Sequence, residues 1–139
     1  MSDERRVFEY RLQSAHGEVD NEILDLVCER LGEDGWEPYS VRMTSPPFSL
    51  FVYSAFVCQL AYLHMNATER GLGLERVRGH LRVTTDSWVV QDLRAEFWIH
   101  LRAGTPAEGD LAFIVERMEG CPISRNLPAA VKRTLLHLE

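Results

Sequence analysis

Two hydrophobic rhythms alternate along this chain, and they predict its elements. Val7 to Gln13 alternates apolar and polar side chains, the period of a half-buried strand. From Asn21 to Leu31 the rhythm changes: Ile23, Leu24, Val27, Cys28 and Leu31 fall on one helical stripe, with Asp20 as its cap. The segment Gly32-Glu33-Asp34-Gly35 stops that helix, and Trp36 to Thr44 reads as extended. A long helix follows. Ser45 is placed to accept from its first free amides, and Pro46 and Pro47 suit a first turn whose N–H groups lack partners anyway. It runs to about Glu69 and ends before Gly71 and Gly73.

Between Arg42 and Glu69 no residue carries a fixed charge, so by length this helix could span a membrane. Ser49, Ser54, Gln59, His64, Asn66 and Thr68 interrupt the run, and neither a second apolar segment nor a basic flank accompanies it. A helix buried on nearly all sides is the better reading, and so small a chain would need a partner subunit to cover it. Beyond it Val77, Leu81 and Val83 alternate with Arg76, Arg78, His80 and Arg82. Val89, Leu93, Ala95, Phe97, Ile99 and Leu101 then alternate with polar positions. These are two strands joined by a hairpin over Thr84 to Ser87, their basic outer row lying beside Asp92 and Glu96. Thr105-Pro106-Ala107-Glu108 is a capping box that opens a helix with Leu111, Ile114, Val115 and Met118 inward and Gly120 at its end. Cys121-Pro122 starts a new turn, and Val131 to Leu138 returns as a last strand.

A chain of 139 residues with 45% hydrophobic and 26% charged residues reads as one globular domain. Its net charge of −6 argues against binding nucleic acid or anionic lipid. The acidic start, with no apolar segment behind it, is unlike a secretory signal, which points to the cytoplasm. Cys28, Cys58 and Cys121 are too few, and odd in number, for a secreted disulfide framework, so reduced thiols are expected.

Chemistry therefore concentrates on sulfur. Cys28 lies on an apolar stripe and reads as core. Cys58 sits inside the apolar helix and Cys121 at a helix junction 63 positions later. A redox pair needs such thiols if the fold unites them; inert core filler accounts for the same two residues. The histidines His16, His64, His80, His100 and His137 show no ligand spacing, so no metal is expected. No Ser-His-Asp order, phosphate-cradling glycine loop or catalytic carboxylate pair is present.

The segment Pro47-Phe48-Ser49-Leu50-Phe51-Val52-Tyr53-Ser54-Ala55-Phe56-Val57-Cys58 resembles the central helix of the OsmC/Ohr family, the osmotically inducible and organic hydroperoxide resistance proteins. Glu69 to Val77 is similar to that family's exit from the helix, and Cys121-Pro122-Ile123-Ser124 to its second cysteine motif. The likeness covers about two thirds of the chain, from Pro47 to the end. It implies an α+β fold over residues 1–139, with a β-sheet wrapping a long buried central helix in an intertwined homodimer. Residues 1–44 then form a divergent N-terminal βαβ portion and 45–139 the family-like portion. Phe8-Glu9-Tyr10 and Gly35-Trp36-Glu37 are also similar to a small uncharacterised βαββ family, which would continue as a strand where the helix at Pro46 is expected.

By this resemblance Cys58 is the peroxidatic thiol and Cys121 the resolving one. The protein would be a thiol peroxidase of the oxidative stress response, with peroxiredoxin activity toward organic hydroperoxides. A small thiol or dithiol would reduce it, with no cofactor. Active relatives stabilise the thiolate with an arginine from a glycine-rich N-terminal loop, held by a glutamate after the helix-opening proline. Here that glutamate position is Phe48 and no such loop precedes it, leaving Arg11, Arg42 and Arg125 as candidate cations. The alternative is a non-catalytic binding or dimerisation protein of the same fold with an unactivated Cys58.

Overall fold

A computed structural model describes residues 4–139. One six-stranded sheet carries the molecule, in the order β3-β2-β1-β4-β5-β6. The strands are β1 Arg5–His16, β2 Ile23–Gly32, β3 Gly35–Pro38, β4 Gly73–Asp86, β5 Val89–Ala103 and β6 Lys132–Leu138. All neighbours are antiparallel except β5 and β6, which are joined through α2 (Asp110–Glu119) and run parallel. The long helix α1 (Pro47–Glu69) lies across the inner sheet face.

Strand alternation builds the core. Tyr10 and Leu12 of β1, Val77, Leu81 and Val83 of β4, and Leu93, Ala95, Phe97 and Ile99 of β5 all point inward and are buried. They meet Val52, Phe56, Leu60, Leu63 and Ala67, the sheet-facing stripe of α1. At Gly79 of β4 a methyl group would stand 3.0 Å from the Phe56 ring and 3.1 Å from Leu12, so glycine is what lets α1 approach the sheet. Ile114 and Met118 of α2 close the other side of the core. Packed this way, α1 is a core helix, although by length and apolarity alone it could cross a membrane.

Several expectations are corrected. Residues 21–31 form no helix; β2 pairs with β1, so the N-terminal portion is three strands and not βαβ. Asp20 is no cap. With Asn21 it occupies the left-handed region (φ 53° and 55°), and the Glu22 amide donates to the Val19 carbonyl at 3.0 Å. Two left-handed central residues make the two-residue turn that suits a twisted hairpin, and Asp and Asn are the side chains that tolerate it. The Asn21 amide then ties the hairpin to the end of α1. It donates to Thr68 Oγ1 and the Leu72 carbonyl, both at 2.8 Å, and accepts from the Leu74 amide at 2.7 Å.

Ser45 does not cap α1, whose N-cap is Pro46; its hydroxyl accepts from the Arg42 amide at 2.9 Å. The expected capping box at Thr105 does not open a helix either. α2 starts at Asp110, whose carboxylate accepts from the Ala107 amide at 2.8 Å. The β4–β5 hairpin forms as expected, turning at Ser87-Trp88, again with both φ values positive. Its basic row is neutralised differently from the expected pairing. Glu9 of β1 serves His80 and Arg82, Glu139 serves Arg78, and Asp92 lies opposite Thr84.

Candidate functional site

The fold brings Cys58 and Cys121 together and keeps Cys28 apart from them. Cys58 lies midway along α1, half-buried, about two turns from Phe51 on the same stripe. Cys121 follows the end of α2 and is fully buried. The Cys58 thiol is close enough to perturb Cys121, and no disulfide joins them. Burial pushes the Cys121 thiol up to about 11, and the neighbouring Cys58 pushes in the same direction. The Ser124 amide, donating to Cys121 Sγ at 3.3 Å, pulls weakly the other way.

The segment holding Cys121 is fastened from three sides. The Cys121 amide donates to the Met118 carbonyl at 3.2 Å, and its carbonyl accepts from the Arg125 amide at 2.9 Å. Lys132, entering β6, directs its ammonium at the carbonyls of Ser124 (2.6 Å) and Glu119 (3.2 Å). Beside Cys58, the buried Gln59 side chain accepts from Thr134 Oγ1 of β6 at 3.0 Å, and the Thr134 amide donates to Glu119 at 3.3 Å. This polar chain ties α1, α2 and β6 around the two sulfurs. Sequence reasoning missed Lys132, Gln59 and Thr134, since nothing local in a Lys-Arg-Thr strand start says which carbonyls it will face.

The three candidate cations are distributed unequally. Arg11 is on the outer sheet face, paired with Glu29 at 2.6 Å and stacked over Trp36. Arg42 precedes α1, about three turns before Cys58. Arg125 alone belongs to the Cys121 segment, where its Nε donates to the Gly120 carbonyl at 3.1 Å. Ser54, one turn before Cys58, gives its proton to the Leu50 carbonyl at 2.7 Å, so that hydroxyl is occupied. Phe48, at the position where a glutamate was the resemblance's expectation, packs on Phe8 and Trp88.

Cys28 faces the core from β2, and burial pushes its thiol up to about 11. That environment suits an inert packing residue. Among the described residues no cluster of three or more His, Cys, Asp or Glu side chains could hold a metal. His16 is engaged structurally. Its Nδ1 faces the Asn21 carbonyl at 2.9 Å and so must carry the proton, which leaves Nε2 to accept from the Ser14 hydroxyl at 2.8 Å.

No family profile matches the chain, and no curated protein matches it in sequence. Solved structures do match in shape. An OsmC-like hydroperoxide resistance protein from Jannaschia sp. CCS1 superposes with a TM-score of 0.55 at 16% identity, over 86% of this chain and 85% of that one. An OsmC-like protein from Mycoplasma pneumoniae gives 0.53 at 10% identity, over 91% and 94%. An OsmC-like protein of unknown function from Vibrio cholerae gives 0.50 at 11%, over 94% and 97%. Identities this low speak to architecture, and the likeness extends through the N-terminal strands as well as the cysteine-bearing part. The chain has the α+β OsmC-like fold.

Proposed function

We propose that this protein is a thiol peroxidase that reduces organic hydroperoxides through Cys58 and Cys121. The observation that carries the reading is the adjacency of a half-buried thiol on α1 and a fully buried one behind it. Their surroundings divide the labour. A thiol held near 11 is almost wholly protonated at neutral pH, so Cys121 is a poor first nucleophile and the attack falls to Cys58.

The Cys58 thiolate attacks the distal peroxide oxygen, the O–O bond breaks, and the departing alkoxide takes up a proton to leave as an alcohol. Cys58 is then a sulfenic acid. Cys121 attacks that sulfur, hydroxide leaves and is protonated to water, and a Cys58–Cys121 disulfide remains. An external thiol or dithiol returns both cysteines to thiols and is itself oxidised. Once Cys58 is a sulfenic acid, its charge no longer opposes ionisation of Cys121, and the Ser124 amide already points at the sulfur that must become anionic. Arg125 is our candidate for the cation that assists Cys58, because its backbone is fixed to Cys121. The working form is a homodimer, and a reducing compartment such as the cytoplasm suits three free thiols.

Mass spectrometry after one equivalent of cumene hydroperoxide tests the reading. The expected product is an intrachain Cys58–Cys121 link that is absent from Cys58→Ser, with Cys28 still free. Phe48 in place of a carboxylate favours the rival, a non-catalytic protein of this fold. That rival predicts no link and a Cys58 that alkylates only after denaturation.

A further inference from the structure

Two basins of different chemistry meet at Pro46, the residue that caps α1. One, of about 450 Å³, opens between the β2–β3 hairpin and the approach to the helix, and is lined by Arg30, Tyr39, Arg42, Thr44 and Ser45. The other, of about 470 Å³, is walled by Pro46, Pro47, Phe48, Phe51 and Trp88 and is almost wholly apolar.

The polar basin is rich in donors and short of acceptors. Glu37 also borders it, but it is already 3.1 Å from Arg30. Among the described residues no carboxylate is within ion-pair distance of Arg42. The Tyr39 hydroxyl is buried without a partner. Behind it the Tyr10 ring lies 5.2 Å away, 0% exposed, with its hydroxyl equally unpartnered: Ser49 and Arg30 are near that phenol, yet neither makes a well-formed hydrogen bond to it. Buried hydroxyls without partners are uncommon and point to an acceptor that completes them.

The apolar basin is deliberately shaped. Trp88 sits at a hairpin turn with φ of 69°, a strained conformation for a bulky residue, and this turns its indole onto Phe48 at 5.3 Å. Arg6 stacks over the same indole at 4.2 Å. The ring remains 52% exposed, which leaves surface for a ligand.

We propose that these basins form one binding site for an apolar-tailed anion, a long-chain carboxylate or its equivalent. The oxyanion head meets Arg42 and the Tyr39 hydroxyl, and the tail lies over Pro46, Phe48 and Phe51 against Trp88. Charge opposite Arg42 specifies the head, and the adjoining hydrocarbon wall specifies the tail. The site uses no sulfur and stands apart from the thiol chemistry.

Calorimetric titration of the Cys58→Ser protein with decanoate, below its micelle concentration, tests it independently of any peroxidase activity. One saturable site per chain is expected. Binding should weaken at least tenfold in Arg42→Gln and in Phe51→Asn, and 1-decanol or acetate should bind at least tenfold less tightly than decanoate. Arg42 is exposed, so Arg42→Gln keeps the parent melting temperature and its loss of affinity reads on the site. The proposal is overturned if decanol matches decanoate, if acetate alone matches it, if Arg42→Gln binds like the parent, or if decanoate never saturates.

Discussion

Cys28 and Cys121 are both held near 11 by burial, and this has a consequence for stability that is separate from catalysis. In the unfolded chain a cysteine titrates near 8.5–9, so above that range the unfolded state loses protons the folded state retains. The stabilising contribution is complete below about pH 8.5 and is lost as pH rises toward 11, by roughly 2–3 kcal/mol per thiol. Denaturant midpoints between pH 8 and 11 should fall steeply, and Cys28→Ala should remove about half of the cysteine-dependent slope. His16 acts at the opposite end. Burial lowers its pKa, so stability is intact above about 6.5 and lost as pH falls below that value. His16→Gln should flatten the acid limb of the same curve. At this scale the sequence was partly legible: an apolar run around Cys58 announced a core helix, and Cys28 announced a core position. The partners of Cys121 were not legible, because Lys132 and Thr134 arrive from a strand that becomes a neighbour only through the parallel β5–β6 crossover.

Hairpin turns decided which expected elements were right. Ile23, Leu24, Val27, Cys28 and Leu31 fit a helical stripe, yet Leu24, Val27 and Leu31 end exposed at 66%, 54% and 42%. What overrides that periodicity is the Asp20-Asn21 turn together with the β1 edge, whose backbone groups need a partner strand. Asn21 is therefore more than a turn residue, since it makes three hydrogen bonds to α1 and β4. Asn21→Ala is expected to lower stability by about 3 kcal/mol, at about 1 kcal/mol per bond, measured by urea unfolding. Asn21→Asp keeps the turn and one acceptor and should lose less. Gly79→Ala is a second test at this scale. Its methyl group would press on Phe56 and Leu12 in the middle of the sheet, and overpacking of this kind costs about 1–3 kcal/mol. A variant as stable as the parent would mean that α1 moves more freely on the sheet than its contacts imply.

The molecule as a whole presents an incomplete cover for α1. Val52, Phe56, Leu60 and Leu63 are fully buried by the sheet, while Leu50, Val57 and Ala61 remain half-buried and Met65 is 47% exposed on the opposing stripe. An apolar stripe running the length of a 23-residue helix is the surface a second copy would cover. Sedimentation velocity at micromolar concentration should find a dimer, and Val57→Lys should drive it to monomer; a monomeric parent protein would contradict this. The fold class was legible from the order of proline, apolar helix and second cysteine, and the divergent N-terminal strands were not. The central claim is that Cys58 and Cys121 act as one two-electron unit. Titrating the fully reduced protein with cumene hydroperoxide and counting residual thiols tests it most directly: the account predicts one peroxide consumed and two thiols lost per chain, with the same count in Cys28→Ser and no rapid consumption in Cys58→Ser. Peroxide consumption that is no faster in the parent than in Cys58→Ser, or thiol loss that falls on Cys28, would contradict it.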